Sequence, residues 1–250
     1  MQHSNLATAT AKGTLLLGSY RDVLSNVTAD LILTSPPYNI GSKAPRRDGQ
    51  RKHGKYDPKS YGAITGYPDD LPEAEYQKSQ VDFLCWAAAH LSKHGALVYN
   101  HKPRRNGHMI HPMSWILRVP ELTLMEEIVW DRGSTHNHGR QLMWPTTERL
   151  YVLRRTDGVY SLINTDTLPE RSDVWRIPPD RSGTGHNAPF PIALAEAAVA
   201  AWSRPGELVC DPYAGSATTG IAAANLGRRF VGSEVLPKYY RIGAERLAAC

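Results

Sequence analysis

The chain has 250 residues, 41% of them apolar, enough for one large domain with a sizeable core or for two small ones. No run approaches the roughly 20 apolar residues that span a bilayer, and Met1-Gln2-His3-Ser4-Asn5 lacks the charged and then apolar stretch of a secretory leader, so a soluble cytoplasmic protein with no membrane partner is expected. A net charge of +5 leaves a polyanion open as a partner, whereas Cys85, Cys210 and Cys250, scattered and without C-x-x-C spacing, exclude a disulfide framework and a zinc site.

Thr14-Leu15-Leu16-Leu17 predicts a short strand and Asp30 to Thr34 a buried one, because a continuous apolar run bounded by turn residues suits a parallel sheet. The 35–70 stretch then has no helical or strand period and is rich in Gly, Pro, Lys and Arg, the composition of a mobile functional loop. Within it Lys43, Arg46, Arg47, Arg51, Lys52, Lys55 and Lys59 stand against Asp48 and Asp57, so one loop carries the whole net charge of +5.

Val81, Leu84, Cys85, Ala88 and Leu91 fall at helical spacing after Pro72, with Gly95 as the expected stop. Strand Ala96 to Asn100 follows, ending at the basic turn Lys102-Pro103-Arg104-Arg105. A helix is expected over His108 to Leu117, and Leu122 to Asp131 with Arg149 to Arg155 as an antiparallel pair of strands. Residues 156–185 lack apolar periodicity, carry Arg171, Arg176 and Arg181 beside Trp175, and read as a small module laid over the main sheet. The end of the chain is the clearest α/β pattern: helix Pro191 to Ser203, strand Glu207 to Asp211, helix Ala217 to Leu226, strand Arg229 to Glu234 and helix Pro237 to Ala249.

Two stretches bear chemistry. In Thr34-Ser35-Pro36-Pro37-Tyr38 the consecutive prolines fix φ and remove N–H donors, so stiff carbonyls stand between a hydroxyl and an aromatic face. Such a patch accepts hydrogen bonds from an amino group while Tyr38 stacks on its ring. Taken alone it is equally an ordinary proline turn. The second stretch, Asp211-Pro212-Tyr213-Ala214-Gly215-Ser216-Ala217-Thr218-Thr219-Gly220, joins a strand to a helix through small residues. Ile221 and Ala222 after Gly220 exclude a P-loop, and Gly215-x-Ala217 breaks the dinucleotide fingerprint. What remains is a helix N-terminus suited to a carboxylate or hydroxyls, with Glu234 at the tip of the next strand where an acid can hold a ribose.

The two stretches together resemble the amino-group DNA methyltransferases that use S-adenosylmethionine. The order, catalytic tetrapeptide before cofactor motif, resembles their β-class, and His186-Asn187-Ala188-Pro189-Phe190-Pro191 is similar to the family motif that precedes the cofactor strand and covers the methionine end. The resemblance runs from Thr14 to the C-terminus. It implies a Rossmann-like methyltransferase fold of the α/β class, with a mostly parallel sheet, helices on both faces, circularly permuted motif order and a small inserted target-recognition region. Residues 1–155 would form the catalytic half, 156–185 the recognition region and 186–250 the cofactor-binding half.

Carried over position by position, the resemblance assigns amine binding to Ser35, Pro36, Pro37 and Tyr38. It assigns the cofactor to Asp211, Pro212, Ala214, Gly215, Ser216, Thr218, Glu234, His186, Asn187, Ala188 and Phe190. Ala217 stands where the family commonly has a second glycine, and Gly18-Ser19 where it often has Gly-Asp, with Asp22 nearby. The implied substrate is double-stranded DNA, with phosphate contacts from Lys43, Arg46, Arg47, Arg51, Lys52 and Lys55 and the target base flipped out of the stack. Ser35 in place of Asp, and Ala188-Pro189-Phe190-Pro191 rather than a Lys-Pro ending, resemble N4-cytosine enzymes more than N6-adenine ones. RNA methylation, an inactive nucleic-acid-binding homologue and a homodimer stay open.

Other candidates rank lower. His90 and His94 at i,i+4 spacing are expected on a solvated helix face, and His136 and His138 lie in a loop without the further ligands a metal needs. Trp86, Trp115, Trp130 and Trp202 fit core positions, while Trp144 and Trp175 stand in polar surroundings where an indole can stack on a base.

Overall fold

Leu31-Ile32-Leu33 and Leu97-Val98-Tyr99 are apolar at every position because both faces of their strands are covered, and all six side chains are fully buried. Leu31, Leu33 and Val98 point into one core and Ile32, Leu97 and Tyr99 into the other. A computed structural model describes residues 7–10, 13–40, 69–135, 142–159, 172–180 and 190–250. The expected DNA contacts Lys43 to Lys55, the loop histidines His136 and His138, and the site candidates His186, Asn187 and Ala188 lie outside the described residues.

The strands are β1 (Ala7–Thr10), β2 (Gly13–Leu17), β3 (Ala29–Thr34), β4 (Leu91–His101), β5 (Arg104–Asn106), β6 (His108–Ile110), β7 (Leu122–Asp131), β8 (Thr147–Arg155), β9 (Val174–Arg176), β10 (Leu208–Asp211) and β11 (Arg229–Glu234). The helices are α1 (Tyr20–Val23), α2 (Glu73–His90), α3 (Met113–Ile116), α4 (Ile192–Trp202), α5 (Thr218–Asn225) and α6 (Pro237–Ala249). One nine-stranded sheet runs β1-β2-β11-β10-β3-β4-β8-β7-β9, parallel from β2 through β4 and antiparallel at β4/β8 and β8/β7. Helices α4, α5 and α6 pack on one face, and α1, α2 and α3 on the other. This is the α/β layering expected from the sequence.

Four local expectations are corrected. Gly95 does not stop a helix: α2 ends at His90 and β4 begins at once, with Leu91 already extended. Gly95 lies inside β4 beside the register shift with β3, where a Cβ would stand 2.8 Å from the Asp30 carbonyl oxygen, so the strands approach too closely for a side chain. His94 is therefore on a strand, and His90 stacks on Trp86 at 4.2 Å between ring centroids, leaving that tryptophan half-buried.

The 108–117 stretch is a strand and a short helix. Asn106-Gly107, a hairpin signal, turns β5 into β6 with Gly107 at φ 74°, and only Met113–Ile116 is helical. Finally, Trp175 is no surface residue. The 172–180 part of the expected module supplies β9, which extends the main sheet at its edge, and Trp175 is buried against Trp202 at 5.8 Å. Trp144 remains exposed.

Candidate active site

The two chemical stretches end neighbouring strands. From β10 the chain winds outward through α5 to β11, and from β3 through α2 to β4, on opposite faces of the sheet. The carboxyl ends of β10 and β3 thus flank the crevice at which the winding direction reverses, where open α/β sheets bind their ligands. Thr34 Oγ1 donates across it to Asp211 Oδ1 at 2.8 Å.

Asp211 is buried and accepts two further bonds, from Tyr213 N at 3.0 Å and Thr219 Oγ1 at 2.7 Å. Burial pushes its pKa up to about 6 against the pull of these donors. Its carboxylate braces the turn against β3. The turn itself is left-handed at Gly215 (φ 52°) and at Ala217 (φ 59°, ψ 34°), so the second glycine is not needed for its shape. Ser216 is buried, with its carbonyl and Oγ both accepting from Arg246 Nη1, which also reaches Thr218 Oγ1 at 3.2 Å. Both hydroxyls are therefore engaged from α6. Pro212 accepts from Ser233 Oγ, and Ala214 is buried with the first core.

Glu234 closes the crevice on the β11 side. Its Oε2 accepts from Gly215 N at 2.9 Å and its Oε1 from Leu236 N at 2.8 Å. Burial raises its pKa, partly offset by those two N–H groups. Each oxygen keeps a lone pair for a hydroxyl. Phe190 is half-buried, edge-on to Trp130 at 6.1 Å.

At the end of β3, Pro36 is buried and Tyr38 half-buried. Four oxygens meet here: Ser35 Oγ lies 2.8 Å from Tyr38 Oη and 3.1 Å from Asn100 Oδ1, and Tyr38 Oη lies 2.6 Å from Asn100 Oδ1 and 3.0 Å from Glu148 Oε2. Asn100 Nδ2 donates to the Arg149 carbonyl, which turns its oxygen toward the cluster. Glu148 Oε1 pairs with Arg132 Nη1 at 3.1 Å, with both side chains largely out of water. Burial, followed by the Glu148 charge, holds the Tyr38 hydroxyl well above its ordinary pKa, so it keeps its hydrogen.

A second set of bonds fixes the backbone of the tetrapeptide. His101 Nδ1 lies 2.8 Å from both the backbone N and the carbonyl oxygen of Lys102, and its Nε2 lies 2.7 Å from Tyr76 Oη, whose hydroxyl donates to the Pro37 carbonyl at 2.8 Å. Burial lowers the His101 pKa to about 3, so the imidazole is neutral. Its ring lies 4.5 Å from that of Tyr38, and Lys102 Nζ stands 5.4 Å from the Tyr38 centroid, its pKa lowered by burial. Beyond Tyr38, Asn39 N and Ile40 N both donate to the Asp69 carboxylate, at 2.6 and 3.3 Å.

The structure thus brings Ser35, Pro36, Pro37 and Tyr38 beside Asp211 to Thr218 and Glu234. Sequence reading missed Asn100, Glu148, Arg132, His101 and Tyr76. One signal was present: Asn100 continues the inward positions Ala96 and Val98, and Glu148 precedes Leu150 and Val152 on the same face of β8. A polar residue in such a row is buried and needs a partner.

This fold and crevice define a Rossmann-like α/β methyltransferase architecture. The family model described as DNA methylase, covering N6 and N4 amino methylases, matches residues 29–245, and the chain belongs to that family. It is 39% identical to the DNA adenine methyltransferase YhdJ of Escherichia coli over 257 residues, 88% of this chain and 76% of that one. Several other curated relatives align over half or less of their own length, among them M.BamHII of Bacillus amyloliquefaciens at 32%. In three dimensions it matches the cytosine-N4-specific PvuII DNA methyltransferase with a TM-score of 0.76 at 19% identity, covering 98% of this chain and 90% of that one. It also matches M1.HpyAVI in complex with SAM, with a TM-score of 0.59 at 17% identity over 90% and 92% of the two chains.

Proposed function

We propose that this chain transfers the methyl group of S-adenosylmethionine to the exocyclic amino group of a base flipped out of double-stranded DNA. The observation that carries the reading is the hydrogen balance of the cluster at Tyr38. Four short oxygen–oxygen contacts share the two hydroxyl hydrogens of Ser35 and Tyr38, because Asn100 Oδ1 supplies none and Glu148 Oε2 is the acceptor of its bond with Tyr38. A site short of hydrogens takes a donor, and an exocyclic amine brings two N–H groups.

Accepting those hydrogens at Ser35 and the Pro36 carbonyl concentrates electron density on a nitrogen whose lone pair is otherwise delocalised into the ring, and orients it for in-line attack. The sulfonium donor supplies an activated methyl group when bound. Glu234 and Gly215 fit its ribose and backbone approach, since Glu234 has lone pairs to spare and Gly215 carries no side chain at a positive φ. Charge developing on the amine is met by the Tyr38 face, a contribution of roughly 0.5–2 kcal/mol. Basic residues between Lys43 and Lys59 would hold the duplex and offset the few kcal/mol of base flipping.

Ser35 at the head of the tetrapeptide favours N4 of cytosine. The identity to an adenine methyltransferase over most of the chain supports a second reading, N6 of adenine. Incubation with methyl-labelled S-adenosylmethionine and duplex DNA, followed by mass analysis of the nucleosides, decides between the two. Label in RNA alone, or none from protein that binds the cofactor, overturns the proposal.

A further inference from the structure

Glu148 is the one carboxylate hydrogen-bonded to a tetrapeptide side chain among the described residues, and the methyl-transfer scheme above counts it as an acceptor without giving it a role toward the amine. It reaches Tyr38 Oη at 3.0 Å through Oε2, while its Oε1 is held by Arg132. Arg132 is itself fixed, its Nη2 donating to the Pro145 carbonyl and its backbone N to that of Thr146. Asn100 cannot rotate its amide to donate here without losing the bond to Arg149.

We infer that Glu148 sets the acceptor polarity of the amine pocket through the Tyr38 hydroxyl, a positioning role that rests on the methyl-transfer reading. The Tyr38 hydroxyl donates to Glu148 Oε2, and the Ser35 hydrogen goes to Asn100 or to Tyr38 Oη. Both hydroxyl hydrogens are then consumed inside the cluster, and lone pairs face the incoming amine. A glutamine at this position can present its NH₂ group to Tyr38 Oη instead. The Tyr38 hydrogen then turns to Asn100 Oδ1, where it competes with the Ser35 hydrogen, and Tyr38 Oη spends a lone pair on the glutamine NH₂, so fewer free acceptors face the amine. The charged groups around Glu148 are Arg132 from the end of β7, paired with its Oε1, and Lys102 from the end of β4.

The test is a double-mutant cycle of Glu148→Gln and Tyr38→Phe, assayed for labelled methyl transfer into DNA, with cofactor binding by calorimetry and thermal midpoints measured alongside. Glu148→Gln is expected to lower kcat by about tenfold or more while KM for DNA and cofactor affinity change less than about twofold. In the Tyr38→Phe background the same change should lower kcat by less than about twofold, since the hydroxyl through which Glu148 acts is gone. Parent-like kcat in Glu148→Gln, or an equal loss in both backgrounds, overturns the inference. If Glu148→Gln does not fold, Glu148→Asp, which keeps the charge, is carried through the same cycle and judged by the same non-additivity. Failure of the parent protein to methylate DNA is a different result and counts against the functional reading.

Discussion

Thr34 Oγ1 donates to Asp211 Oδ1 at 2.8 Å, and this bond joins the strand that carries the tetrapeptide to the strand that opens the 211–220 turn, 177 residues later. The two halves of the site are therefore held in register by one buried carboxylate.

That carboxylate makes stability depend on pH. Asp211 has a pKa of about 6 against an ordinary 3.8, so between these values the folded chain binds a proton that the unfolded chain has released. Its contribution therefore declines as pH rises through about 6, by about 3 kcal/mol in all for a shift of about two units. Urea midpoints of the parent protein should fall relative to those of Asp211→Asn between pH 4 and pH 7. A difference that stays flat, or grows with pH, would falsify the assignment.

The tetrapeptide should separate chemistry from cofactor binding. Tyr38→Ala removes the aromatic face and a hydroxyl shared by three partners, and Pro36→Ala frees the carbonyl proposed to accept the amine. Each is expected to reduce methyl transfer by about 10²-fold or more with cofactor affinity nearly unchanged. Labelled-methyl assays beside calorimetry read the split, and parent-rate methylation by both variants would misplace the centre.

At Ala217 the backbone is left-handed at φ 59° and the side chain is fully buried. Glycine relieves roughly 1–2 kcal/mol of strain but forfeits about 0.8 kcal/mol of methyl burial, so Ala217→Gly should lie within about 1 kcal/mol of the parent. Ala217→Val adds a β-branch in that conformation and is expected to cost more than about 2 kcal/mol. Denaturation curves order the three proteins.

Asp69→Ala leaves Asn39 N–H and Ile40 N–H without their acceptor next to Tyr38. The expected loss is about 1–3 kcal/mol of stability, together with a lower kcat, because Asn39 holds its left-handed φ of 55° against this carboxylate. Unfolding and single-turnover measurements check both parts.

The basic 42–59 stretch predicts a salt effect. Replacing Lys43, Arg46 and Arg47 together by Gln should reduce the slope of log affinity for duplex DNA against log salt by about 2 to 3. An unchanged slope assigns the phosphate contacts elsewhere.

The sequence alone determined the elements whose signal is local. Continuous apolar runs marked β3 and β4, the alternation of helix and strand patterns marked β10, α5 and β11, and the two motifs pointed to the chemistry because proline and glycine restrict the backbone wherever they stand. Local signals failed where neighbours decide. Gly95 reads as a helix stop until the β3 carbonyls are seen against it, and Trp175 reads as a surface indole until β9 is paired to β7.

For Glu148 and Asn100 strand alternation marked only inward polar positions, and the tertiary structure decided their partners. Their role depends on pairing β4 with β8 so that Asn100 stands opposite Leu150, and on β3 delivering Tyr38 between them. Hydrogen bonds bridging 62 and 110 residues of chain leave no spacing in the sequence that names the partners. Thr34-Ser35-Pro36-Pro37-Tyr38 taken alone offered an acceptor patch or a proline turn; only the packed sheet brings a carboxylate and an amide oxygen to the Tyr38 hydroxyl.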